Sequence, residues 1–235
     1  MVFGAQSFLI RWGEGKLDDL VDGGRQFADQ YRQAWRAAYI WLLTETGHLD
    51  EARQRFHDLG GAGFKTLGWN ADWLTAMCGL SLAAVALEER DHAEALYELF
   101  APYADLYAGF LAGSGCLGSN HALVGFAAKA AGRLDDAIAH FERAHELNAK
   151  VGAHYLTPRV HYEQARALLA RGGEGDSEAA RKAVDAGLAS ARTMGMRAEV
   201  ERRSPCASRS RRSAISTCRA RSTTWRSRSK RSSRT

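Results

Sequence analysis

Two glycine-rich strings are the first candidates for chemistry, because backbone amides in such loops can cradle phosphates. Gly113–Gly118 has the G-x-G-x-x-G spacing of dinucleotide-binding turns, and residues 60–66 resemble a triphosphate-binding loop. The first motif needs a preceding strand within a strand–helix–strand unit, which the flanking sequence does not predict. The second has Phe64 where a glycine must precede the lysine. We interpret the first string as a connection between helices, do not expect a triphosphate site at the second, and predict no cofactor.

Histidines and paired acids are the second group of candidates. His140 and His145 are five residues apart, and His154 and His161 are seven apart, so neither pair has the i, i+4 spacing of a zinc-peptidase helix. Paired acids such as Asp135-Asp136 stand where helices are predicted to start, and the helix dipole favours anions there without any catalysis. The sequence therefore predicts no metal site, no catalytic residues and a protein that is not an enzyme.

The elements that would position these residues come from one repeated pattern. Ala52, Ala95, Ala137 and Ala180 are 43, 42 and 43 residues apart, each followed four positions later by a bulky apolar residue. A glycine or its substitute stands five positions before each alanine, where a tight turn requires a positive φ. Each alanine and the apolar residue four positions later lie on the same helix face. The pattern predicts an all-α fold of stacked helix hairpins with a period of about 42, the second helices beginning near residues 48, 91, 133 and 176.

One copy of this pattern resembles the tetratricopeptide repeat (TPR). It carries the glycines and small or aromatic residues of that repeat in order, as Gly125, Gly132, Ala137, Phe141 and Ala144. The longer period is similar to the extended repeats at the C-terminal end of large bacterial signalling ATPases. Those proteins are joined to class III nucleotide cyclases or LuxR-type DNA-binding modules. Three further segments resemble the same group: 96–103, 115–119 and 168–176.

The resemblance implies a right-handed α-solenoid over residues 1–203, acting as a non-catalytic protein-interaction or regulatory ligand-sensing domain. It also implies that the chain is a fragment of a bacterial signal-transduction ATPase, cyclase or transcriptional regulator. Helix A of each such hairpin usually lines a concave groove, and the implied groove residues here are Trp41, His121, Lys129, Arg159 and Tyr162. Lys129 and Arg159 would suit an acidic peptide end or an anionic small molecule, although side chains of this kind are usually just solvated. Trp41 and Tyr162 are also compatible with simple packing. The expected partner is a protein, a peptide or a small regulatory ligand.

Residues 204–235 form a basic tail with a composition unlike the rest of the chain. They contain nine Arg and one Lys with no acid, which leaves 22 basic and 27 acidic side chains, a formal charge of −5, in residues 1–203. With ten Ser, four Thr and almost no large apolar residues, the tail is predicted to be disordered.

Two interpretations of the tail remain open. It can be a nucleic-acid-binding arm in which Trp225 stacks on a base, which makes nucleic-acid binding the alternative function. It can also be a frameshift product. Read one register away with G/C-rich third positions, residues 222–233 become Leu-Asp-Asp-Leu-Ala-Leu-Ala-Leu-Glu-Ala-Leu-Glu, which has the pattern of an amphipathic helix.

Cysteine spacing and hydropathy predict the compartment. Cys78, Cys116, Cys206 and Cys218 show no paired spacing, which favours free thiols in a reducing environment. The longest apolar run, 82–87, is too short to cross a bilayer. We therefore predict a cytoplasmic protein without a membrane partner.

Overall fold

The computed structural model describes residues 2–30, 34–70, 72–110 and 115–203, and this part of the chain is mostly helical, as predicted. Within these ranges there are eleven α-helices and one two-stranded sheet. The first six helices are α1 (Val2–Glu14), α2 (Val21–Gln30), α3 (Ala34–Glu45), α4 (Leu49–Gly60), α5 (Trp73–Leu87) and α6 (Arg90–Phe100). The strands β1 (Tyr107–Phe110) and β2 (Gly115–Ser119) follow. The last five helices are α7 (Asn120–Ala130), α8 (Leu134–Val151), α9 (Thr157–Arg171), α10 (Asp176–Thr193) and α11 (Arg197–Arg203). The predictions for the tail, disorder and frameshift alike, lie outside the described residues.

The β-hairpin corrects the prediction of an all-α fold. β1 and β2 pair antiparallel, with Gly109 opposite Cys116 and Phe110 opposite Gly115. Ala108 on one strand and Leu117 on the other are buried, which anchors the hairpin on the helices. The expectation that no strand precedes the glycine string was therefore wrong. The pairing is still antiparallel, so it does not build the parallel strand–helix–strand unit that a dinucleotide site requires.

Four helices begin within one residue of their predicted starts. They are α4 at Leu49, α6 at Arg90, α8 at Leu134 and α10 at Asp176. The turns before α4, α8 and α10 adopt positive φ at the predicted positions, at Gly47 (+83°), Gly132 (+82°) and Gly175 (+79°). Before α6 the positive φ lies at Glu88 (+57°), two residues earlier than predicted, because Arg90 is already the first residue of the helix. We call α4, α6, α8 and α10 the second helices, and α3, α5, α7 and α9, each of which precedes one of them, the first helices.

The buried face of the second helices follows the predicted pattern in α4 and α8 but not in α6. Ala52 and Phe56 in α4, like Ala137 and Phe141 in α8, are fully buried. In α6 the predicted residues Ala95 and Leu99 are only half-buried. The fully buried residues of α6 are Ala93, Leu96 and Phe100. Larger apolar side chains gain more from burial than Ala95 does, so the helix turns Leu96 and Phe100 inward.

The first helices pack on one another in chain order. α3 contacts α5, α5 contacts α7, and α7 contacts α9, while each also contacts its own second helix. Glycines permit the closest approaches. A Cβ at Gly79 would lie 2.9 Å from the carbonyl oxygen of Ala37, and one at Gly125 would lie 2.7 Å from the ring of Phe141. Across the described residues, no helix combines the length and apolar character that spanning a membrane requires.

Candidate interaction surface beneath helix α1

Helix α1 lies against the first helices through two aromatic side chains one turn apart. Phe8 and Trp12 each meet the ring of Trp41 on α3 edge-on, at centroid distances of 4.9 Å and 5.1 Å. Trp12 also contacts Tyr155, just before α9, at 5.3 Å. Trp12 and Trp41 are almost completely buried. These four residues form an aromatic cluster that joins α1 to both α3 and the segment before α9.

Polar and small residues also hold α1 against the other helices. The hydroxyl of Tyr155 donates a hydrogen bond to the backbone carbonyl of Leu9. Burial raises the pKa of this tyrosine, and nearby Glu199 and Glu45 raise it further. At the far end of α1, a Cβ at Gly13 would lie only 3.7 Å from Met196, so α1 also packs closely on the segment that leads into α11.

A buried ion pair lies under this helix. Nη1 of Arg159 is 2.6 Å from Oε1 of Glu45, and the two side chains are 11% and 1% exposed. The indole of Trp41 donates to the same carboxylate at 3.2 Å, and the guanidinium of Arg159 stands 5.3 Å from the ring centre of Trp12. Burial disfavours the charged form of Arg159, but the carboxylates of Glu45 and Glu199 outweigh it and raise the pKa of the guanidinium.

Further ion pairs continue along α9. Nζ of Lys129 on α7 is 2.9 Å from Oε2 of Glu163, and these side chains are 10% and 4% exposed. The same carboxylate accepts from Arg166 at 3.2 Å, and Arg166 reaches Glu88, at the end of α5, at 3.3 Å. The charged groups of α9 are therefore tied to α3, to α7 and to the end of α5. We call the surface that consists of Trp41, Glu45, Lys129, Tyr155, Arg159 and Glu163 the α1-side surface.

Three of the five predicted groove residues lie on this surface, where Trp41 and Arg159 share Glu45 and Lys129 pairs with Glu163. Trp41, Lys129 and Arg159 belong to it, and they are packed or paired rather than open. Tyr162 lies half-buried on α9, close enough to Arg166 for an electrostatic interaction with its guanidinium. The two cations expected to suit an anionic ligand are already neutralised by Glu45 and Glu163.

His121, the fifth candidate, belongs to a different cluster. Its Nδ1 lies 2.8 Å from Nδ1 of His140, and its Nε2 lies 3.1 Å from a carboxylate oxygen of Asp105. Burial, and then the neighbouring His121, lower the pKa of His140. If His121 donates its Nε2 proton to Asp105, its Nδ1 accepts from His140, so the three groups form an ordered hydrogen-bonded chain.

Sequence reasoning missed the residues that cover and neutralise this surface. Phe8 and Trp12 have the i, i+4 spacing of a helix face, so that signal was present in the sequence. Glu45, Tyr155 and Glu163 carried no such signal, because their partners are far away along the chain.

Comparison of the chain with protein-family models, curated proteins and solved structures yields no match. The resemblance to tetratricopeptide repeats and bacterial regulators therefore rests on the sequence pattern.

Proposed function

We propose that this chain is a non-catalytic helical-repeat module that binds an amphipathic helix of a partner protein on its α1-side surface. In this proposal residues 1–203 form a TPR-like right-handed solenoid, and the α1-side surface is its concave side. The order in which the first helices contact one another supports that arrangement. The single observation that carries the proposal is α1 itself, a helix already bound there through Phe8 and Trp12.

The contacts of α1 are those of a helix held in a groove. Anchors at positions i and i+4 enter from one face, while Ile10 on the opposite face is 65% exposed. The receiving side offers Trp41, Tyr155 and Arg159, the residue types that dominate the energetics of protein interfaces. A partner helix with two large aromatic or apolar residues one turn apart would make the same contacts.

The charges of the surface favour an apolar helix over an anionic ligand. Glu45 neutralises Arg159 and Glu163 neutralises Lys129, so an incoming carboxylate would have to break a buried ion pair. The expected partner is therefore a protein helix. Lys129 and Arg159 instead hold the first helices together.

Occupation by α1 would make binding conditional. A partner must displace α1, so its apparent affinity equals the intrinsic affinity multiplied by the fraction of molecules in which the surface is open. Such competition suits a regulatory module within a larger signalling protein, the context that the resemblance to bacterial ATPase regulators implies.

A peptide in trans tests the proposal. A fluorescent peptide of residues 2–16 is titrated with the full chain and with the Phe8→Ala/Trp12→Ala variant, and binding is followed by anisotropy. Truncating a buried tryptophan costs about 3–5 kcal/mol, so α1 should detach from the α1-side surface in the variant. The peptide should then bind the exposed surface. The wild-type chain should bind it much more weakly.

Two controls make the result specific. The Ile10→Ala chain changes an exposed residue of α1 and should behave like the wild type. A peptide that lacks both aromatic anchors should not bind the double variant. The proposal is wrong if the double variant, folded by circular dichroism, binds neither peptide or binds both equally.

A further inference from the structure

Three side chains of metal-binding type meet where α4 and α6 pack together. His57 belongs to α4, His92 belongs to α6, and Glu89 immediately precedes α6. One ligand atom from each lies within 4.8 Å of the other two. Nε2 of His57 is 2.9 Å from Oε2 of Glu89, and the two imidazole rings are 4.3 Å apart. Small side-chain movements would bring all three atoms to the distances of a coordination shell.

Packing fixes one of the rings in place. The imidazole of His92 lies directly over Gly60, where any Cβ would collide with it. The centre of the same ring is 6.0 Å from the centre of the Phe56 ring. Glycine at residue 60 therefore creates the space that His92 fills, and the ring has little freedom to turn away.

The carboxylate is oriented by a second contact. Nε of Arg53 donates to Oε1 of Glu89 at 2.8 Å, which leaves Oε2 directed toward His57. Hydrogen bonds of this kind to the second oxygen commonly orient metal-binding carboxylates. The side chain of His57 is 45% exposed, so water has access to the group.

We propose that His57, Glu89 and His92 bind a zinc ion. Two imidazoles and one carboxylate form a ligand set that Zn²⁺ accepts, whereas Ca²⁺ and Mg²⁺ prefer oxygen ligands alone. Solvent access supplies a fourth position for water. The ion would link two successive second helices, and the site shares no residue with the α1-side surface, so it is independent of the proposed function.

Zinc titration of the full chain tests this site. The protein is purified without a histidine tag, stripped of metal and titrated with ZnCl₂ against a chromophoric chelator at pH 7.5. One ion per chain is expected, and zinc should raise the thermal unfolding midpoint. Glu89→Gln and His57→Asn should each weaken binding about tenfold or more. Because His57 is exposed, its variant should fold normally, which circular dichroism verifies.

A matched control uses another histidine pair. His145 and His161 stack at 3.9 Å between α8 and α9, and His145→Ala removes one of them. This variant should bind zinc like the wild type. The proposal is overturned if the full chain shows no saturable binding, if His57→Asn binds as tightly as the wild type, or if His145→Ala abolishes binding.

Discussion

The stacked pair of His145 and His161 makes the fold sensitive to acid. The ring of His161 is half-buried between α8 and α9, and among the described residues its Nδ1 has no hydrogen-bond partner. A Cβ at Gly187 of α10 would lie 3.0 Å from Cβ of His161, so a third helix packs against it. Burial, and then the adjacent His145, lower the pKa of His161 from 6.5 to about 4.

Because the pKa of His161 is lower in the folded chain than in the unfolded chain, acid should destabilise the fold. Between pH 6.5 and pH 4 the unfolded chain holds a proton that folded His161 does not. The folding penalty is therefore absent above pH 6.5 and grows as the pH falls toward 4. A gap of about 2.5 between the two pKa values corresponds to about 3.4 kcal/mol. Solvent reaches part of the ring and screens the charge, so we expect about 1–2 kcal/mol.

Urea unfolding of the wild type and of His161→Phe at pH 7.0 and pH 4.5 measures this contribution. Phenylalanine keeps the stacked ring but cannot titrate. The wild type should lose about 1–2 kcal/mol more free energy of unfolding than the variant between the two pH values. His154→Gln, which removes an exposed histidine, should lose as much as the wild type. Equal losses in the wild type and His161→Phe would refute the reasoning.

Three further predictions address packing, buried charge and the tail. Gly79→Ala should lower the free energy of unfolding by about 1–3 kcal/mol in urea titration, because α3 lies against that position. The control Gly23→Ala should not lower it, because a Cβ there meets open space in the described structure. Glu45→Gln should cost about 1.5–3 kcal/mol in the same assay, because Arg159 loses the carboxylate that it contacts while Glu199 still acts on it. Adding Arg159→Met should recover part of the loss. On filters, the full chain and a chain cut after Arg203 should retain RNA equally poorly; salt-sensitive retention lost on truncation would favour the nucleic-acid alternative.

Local signals explain what could be predicted of the fold. Turn glycines such as Gly47 and Gly132 and the acidic first turns mark where the second helices begin, and these signals act within a few residues. The inward face of α6 was harder to predict. Both Ala95 and Leu96 are apolar, and only the competition for core space decides which of them is buried.

Long-range contacts explain what could not be predicted. The proposed groove placed Trp41 and Arg159 on one surface from the family resemblance, but nothing near them in the sequence indicates that α1 covers them. The proposed zinc ligands were missed for the same reason. His57 and His92 belong to different hairpins, so spacing rules that apply within one helix cannot find them.

The contact between α1 and the segment that leads into α11 changes how the molecule should unfold. In an array where each unit touches only its neighbours, the ends fray independently and folding can spread from any point. Here the hydrogen bond from Tyr155 to Leu9 joins residues 146 positions apart, and Gly13 meets Met196. Release of α1 would therefore also remove contacts from the segment that leads into α11, so the two ends should fray together rather than independently. Such distant contacts also raise the contact order, so the chain should fold more slowly than a linear array of equal length.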